Sequence, residues 1–312
     1  MIALKKVRAL DLVAPAEAGR KPHLSAASGL VRAGAQLFAV ADDELSIGVF
    51  DDAHEKPGEL IRLLPGELPL DPVARKEAKA DFESLVLLPP FPGFNHGALF
   101  ALSSGSKKKK RHISALLRLK KHMTVSGGAM PFDLAEAYEP LHREFARLNI
   151  EGAVVCDGEL RLFQRGNKKD RTNAILRCKL APVLEAVSLG RGIGALELVA
   201  VVPVELGDLD GVPFSFTDAA ALPNGDMVFT CAAEDTEDAY HDGPCTGSAV
   251  GIVGVQGDIV MLDRVSENVK LEGVAASQNG GNADLLLVSD ADDADVPATL
   301  FAATIGTSRG PA

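Results

Sequence analysis

The sequence predicts an all-β fold, a single β-propeller of five blades with six as the alternative, from three observations. First, a short phrase recurs: a polar or acidic residue, a small residue, then an apolar run. It reads Ser28-Gly29-Leu30, Glu83-Ser84-Leu85, Glu151-Gly152-Ala153, Asp218-Ala219-Ala220 and Glu272-Gly273-Val274. Second, a run of strand formers ending in a polar turn follows each phrase, at 37–44, 98–105, 160–167, 227–234 and 285–292. The period is about 60 residues, in the range of whole supersecondary units, and strand-rich arrays of such units close into propellers. Third, the last unit is one strand short, and residues 3–12 offer the missing strand.

In chain order, ALKKVRALDL at 3–12 partly alternates apolar with basic residues, as an outer strand does. Pairing it with 298–304 would close the ring and remove the open edges of an unclosed array. The blades fall near 29–65, 83–140, 151–205, 218–265 and 272–308 plus 3–12, forming one domain over 1–312. The third unit is the clearest. Its strands are expected at 151–157, 159–164, 173–180 and 195–204, with turns at Asp157-Gly158 and Arg165-Gly166-Asn167. Segments 71–81 and 133–148 are rich in Ala, Glu, Lys and Arg and read as connecting segments or short surface helices, the second limited by Pro140.

A net charge of −11 argues against nucleic acid or an anionic membrane as the main partner, since both demand a basic face. A small molecule or protein at the channel mouth is expected instead, with the chain a monomer or weak oligomer. One run opposes the acidic trend, Lys107 to Lys110 followed by Arg111 and His112. It reads as a solvated loop or as a local anion contact. With only 5% aromatic residues and no Trp, the core must be aliphatic. Four cysteines at 156, 178, 231 and 245 lack C-x-x-C spacing, and Cys156 and Cys178 read as buried small hydrophobes. The first twelve residues have no continuous apolar stretch of a signal peptide and no membrane span is evident, so a cytoplasmic location is expected.

In a propeller the first strand of each blade lines the channel, so Glu83, Glu151, Asp218 and Glu272, with Ser28, should converge at one mouth. Four carboxylates in a confined space need a cation, a basic side chain or protons. Ca²⁺ or another divalent cation is one solution, because hard cations take carboxylate and carbonyl oxygens in flexible geometry. Second-strand ends place Asp42, Asp43, Asp290 and Asp292 at the same mouth. Arg165 stands where other units have Asp42, Ser104, Glu234 or Asp290, and either pairs with Glu151 or binds an anionic substrate group. His23 and His96 are loop histidines able to serve as base or ligand. The loop at 232–247, with five acids, His241 and Cys245, reads as a lid, a second cation site or disorder. Hydrolase motifs such as G-x-S-x-G or H-E-x-x-H, the P-loop and the Rossmann fingerprint are absent. The function then stands between a metal-dependent hydrolase of esters, lactones or phosphoesters and a non-catalytic propeller that binds through its rim loops.

The phrases ASGLVRAGAQLFAVADDE, NIEGAVVCDGELRLFQRGN and KLEGVAA, the last followed by DLLLVSDADD, resemble bacterial phytase-type, esterase-like propellers and, more distantly, the gluconolactonase/regucalcin and strictosidine-synthase propellers. The resemblance to the gluconolactonase group implies a divalent metal held by a Glu that starts an inner strand, which falls on Glu151 or Glu272. That group adds Asn and Asp ligands from other inner strands; here Asp218 is present and a matching Asn ring is not.

Overall fold

The computed structural model describes residues 1–108, 110–166, 172–234 and 245–307. Five antiparallel sheets form the five blades of a β-propeller. Strand β1 (Lys5–Ala9) precedes the first complete blade. That blade contains β2 (Ala27–Ala33), β3 (Gln36–Ala41), β4 (Ser46–Asp51) and β5 (Glu59–Arg62). Helix α1 (Pro72–Ala78) leads to blade two: β6 (Phe82–Leu88), β7 (Ala98–Ser103), β8 (Ile113–Arg118) and β9 (Met130–Asp133). After α2 (Ala135–Glu144), blade three has β10 (Ile150–Cys156), β11 (Glu159–Gln164), β12 (Asn173–Lys179) and, beyond α3 (Leu180–Ser188), β13 (Leu198–Val204). Blade four runs from β14 (Asp208–Leu209) through β15 (Val212–Ala221), β16 (Met227–Glu234) and β17 (Cys245–Val253) to β18 (Ile259–Arg264). Blade five has β19 (Lys270–Asn279), β20 (Asn282–Asp290) and β21 (Thr299–Gly306), with β1 as its fourth strand.

The ring therefore closes as its alternating N-terminal pattern predicts. β1 pairs with β21 in the register Lys5 to Ala302, Lys6 to Phe301, Arg8 to Leu300 and Ala9 to Thr299. Five blades, not six, fill the described chain.

Two expected helical segments form: Asp71 caps α1 by accepting the amide of Ala74 at 2.8 Å, and Pro72 follows in the first turn, where its missing N–H costs nothing. The sequence reading did not anticipate α3. Apart from Leu180, its residues, LAPVLEAVS, fall between the strands expected at 173–180 and 195–204, and Leu180, Val183 and Val187 recur at helical spacing and bury one face under blade three.

The core lies between adjacent blades, in five clusters built mostly from aliphatic side chains and Phe. Phe163, Phe216 and Phe229 stack edge to face at 5.1 Å between blades three and four. Cys156, Cys178 and Cys231 are buried, as their apolar context suggests, and burial pushes the Cys178 thiol up to about 12. No helix among the described residues is long and apolar enough to cross a membrane.

Candidate functional site

Every inner strand breaks register at the same point. The irregularities fall between Ala27 and Leu30, Phe82 and Ser84, Ile150 and Gly152, Phe216 and Asp218, and Leu271 and Val274. A β-bulge re-aims the side chain at the irregularity. Aligning the five registers makes Ser28, Glu83, Glu151, Thr217 and Glu272 the equivalent bulged residues. The recurring phrase is thus a bulge signature, legible as an acid followed by a small residue.

One layer further along the strands stand Gly29, Ser84, Gly152, Asp218 and Gly273. A Cβ on Gly29 would lie 2.7 Å from the Leu85 amide nitrogen, and one on Gly152 would lie 2.9 Å from that of Ala219. Neighbouring inner strands therefore meet backbone to backbone, which only glycine permits. Asp218 belongs to this layer, one residue past the bulge, and this corrects its expected place in the acidic ring. Its buried carboxylate accepts the Val274 amide at 2.9 Å and the Leu30 amide at 3.4 Å, tying blade four to blades five and one. Burial raises its carboxyl well above the ordinary value against those backbone donors. Its role is that of a tie across the axis.

Above this floor opens a cavity of about 400 Å³. Ser28, Glu83, Glu151 and Glu272 line it, joined by the expected Arg165, Asp42, Asp290 and Asp292. Asp218 and His23 do not line it. His23 sits on the outer loops, with Nε2 3.2 Å from the Ala294 carbonyl. Asp43 turns away to ion-pair with Arg20 at 2.7 Å.

Basic side chains neutralise most of the ring. Arg165 pairs with Glu151 at 3.3 Å and also with Glu234. Lys270 reaches Glu234 at 3.0 Å, Glu272 at 3.2 Å, Asp290 at 3.6 Å and Asp292 at 3.0 Å. Lys79 pairs with Asp42 and, at 2.9 Å, with Asp81, and Arg111 lies 3.0 Å from Asp81. Burial opposes the charge on Lys270, but its carboxylate partners more than reverse this and hold it protonated. The same balance keeps Arg165 and Lys79 charged.

Glu83 differs. It makes no hydrogen bond or ion pair with a described residue, and burial, together with the charges of Glu151, Asp81 and Asp42, raises its carboxyl well above the ordinary value while Lys79 pulls the other way. Asp42, Asp81 and Glu83 each bring an oxygen within 4.8 Å of the others, the one such acidic group among the described residues. Of the four expected ligands, only Glu83 belongs to it.

The sequence reading missed Lys79, Asp81, Glu234 as an ion-pair partner, and Lys270. A signal for one of them was present: side chains two apart share a face of a strand, so Lys270-x-Glu272 in β19 brings base and acid together on the channel side. Most of the 232–247 loop, including His241, and Lys109 and Asn167 lie outside the described residues.

Asp290 gives the network a measurable pH dependence. Burial raises its carboxyl to about 8 despite Lys270. A carboxyl raised on folding stabilises the protein at pH below its unfolded value, and that contribution disappears as pH climbs through the folded value. The thermal midpoint should fall between pH 6 and pH 9, and Asp290→Asn should flatten that fall. An unchanged slope in the variant would rule out Asp290 as its source.

A family model covers residues 23–305. The chain belongs to a family of unknown function, DUF6929. No curated protein sequence matches it. Among solved structures, this DUF6929 chain is similar to a protein of Parabacteroides distasonis assigned to the glycoside hydrolases, with a TM-score of 0.52, 8% identity, and coverage of 99% of this chain and 97% of the other. A luciferin-regenerating enzyme aligns at TM-score 0.46 and 10% identity over 97% and 95% of the two chains. A protein assigned as a gluconolactonase aligns at 0.39 and 14% over 98% and 99%. At such identities the first of these likenesses speaks for the propeller fold alone, and the other two carry no argument.

Proposed function

We propose that the mouth of this DUF6929 propeller is a small-molecule site at which an ester, lactone or phosphoester is hydrolysed with the help of a divalent cation. The observation that carries it is Glu83, an unpaired, half-buried carboxylate facing a 400 Å³ cavity beside Asp42 and Asp81. The cavity's size is that of a metabolite site. Its donors are all hard oxygens, which suit Ca²⁺ or Mg²⁺, and Asp42, Asp81 and Glu83 are the residues that would hold the ion. When bound, such an ion polarises a carbonyl or phosphoryl oxygen and acidifies water.

The chain's own groups supply the rest. Arg165, braced by Glu151 and Glu234, presents a fixed guanidinium to the cavity and can orient an oxyanion. Glu83, which has no ion-pair partner among the described residues, is the carboxylate that a bound cation would hold ionised. Adding Ca²⁺, Mg²⁺, Mn²⁺ or Zn²⁺ to chelator-treated protein in a calorimeter should give one-site binding that Glu83→Gln weakens. Metal-dependent turnover on an ester, lactone and phosphoester panel should fall about a hundredfold in the same variant.

A second reading rests on Lys79. Its ammonium already pairs with Asp42 and Asp81, so the acidic group is neutralised without metal. On that reading the protein is a non-catalytic propeller that captures a metabolite or protein at the same mouth. Metal binding without turnover, or no metal binding at all, would favour it and sink the hydrolase.

A further inference from the structure

The basic run that opposes the chain's acidic trend folds onto the cavity. Lys107 and Arg111, from the β7–β8 connection, line one wall together with Lys76 of α1 and Arg147, which precedes β10. Four cations from three segments thus converge on one side, opposite the carboxylates gathered around Lys270. Arg111 is held firmly. It donates to Ser106 Oγ at 3.0 Å and to the Lys76 carbonyl at 3.1 Å, pairs with Asp81, and keeps a left-handed backbone with φ of 56°. A non-glycine residue in that region costs free energy, and such positions concentrate at ligand clamps.

Lys107 leans on Glu77 at 3.1 Å, outside the cavity. Arg147 is the exposed member, and its guanidinium has no hydrogen bond or ion pair to a described residue. Lys107 and Arg111 already have carboxylate partners in Glu77 and Asp81, so an oxyanion seated at this wall gains most from Arg147, from which it accepts charge-assisted, bidentate hydrogen bonds.

We infer that this wall binds the anionic group, a carboxylate or a phosphate, of the molecule that occupies the cavity. The assignment rests on the reading of the mouth as a small-molecule site and narrows the ligand to an acid or a phosphorylated compound. It places that anionic group beside the acidic trio of Asp42, Asp81 and Glu83, which Arg111 joins through its ion pair with Asp81.

Calorimetric titration of the full chain at low ionic strength with inorganic phosphate and with malonate tests it. Saturable binding of at least one is expected, weakened about tenfold in Arg147→Ala and by added salt. Arg147→Gln and Lys107→Ala serve as second variants, and the thermal midpoint of each reports folding. No saturable heat with either anion, or equal affinity in all the folded variants, would overturn the assignment. Phosphate or malonate binding with no turnover of any ester leaves the anion wall standing and removes the hydrolase. Turnover of neutral lactones with neither anion bound and no preference for anionic analogues does the reverse.

Discussion

Removal of residues 1–12 should abolish cooperative folding. Those residues supply the fourth strand of blade five, and with them go the backbone bonds from Ile2 to Arg264 at 2.8 Å, from Leu10 to Ala298 at 2.9 Å and from Leu12 to Pro22 at 2.8 Å. Ile2, Leu10 and Leu12 are buried, and each contributes about 1.5–3 kcal/mol by burial. Arg8 is also lost. It lies over the Phe50 ring at 5.3 Å and donates to the carbonyls of His54 at 2.7 Å and Lys56, fastening blade five to blade one. Against a typical net stability of about 5–15 kcal/mol, such losses leave little or none. The truncated chain should show no sigmoidal melt by circular dichroism and should bind a hydrophobic dye. A melt with the midpoint of the full chain would refute closure by β1.

Asp218→Ala should destabilise by about 2–6 kcal/mol, because it strands the buried amides of Leu30 and Val274, each at about 1–3 kcal/mol. Asp218→Asn separates two explanations. An amide keeps an acceptor for both N–H groups and, like the protonated acid that burial favours, carries no charge. It should therefore cost far less than Ala at pH 7. Since the folded carboxyl is raised, ionisation works against folding, and the difference between wild type and Asp218→Asn should move in the variant's favour as pH rises. Denaturant melts at two pH values read both effects. Equal losses in the Ala and Asn variants would show that the negative charge, not the acceptor, carries the tie.

The fold was legible because a propeller writes its repeat into the chain. The bulge needs a small residue beside the channel, the second strand needs β formers, and the orphaned edge at β21 needs a partner elsewhere. The site was legible only in part, for reasons that differ by residue. Glu83, Glu151 and Glu272 follow from the repeat itself. Asp218 misled by sitting one position late in an otherwise matching phrase, where a single-residue slip moves a side chain to another layer. Lys79 and Arg147 precede their strands, and Arg111 lies in a loop, so no strand periodicity marks them. Their arrival at the mouth depends on the path of α1 and of the connections between blades two and three.

The backbone contacts at Gly29 and Gly152 give the cavity a floor. The Asp218 carboxylate adds a tie from blade four to blades five and one in the same layer, so the inner strands pack together beneath the mouth. Above that layer the mouth is walled by Lys107, Arg111 and Arg147 and by Lys270 with its carboxylates. On the hydrolase reading proposed above, a product whose anionic group is held at the basic wall would bar the next substrate until it leaves, and its release would set the pace of the cycle.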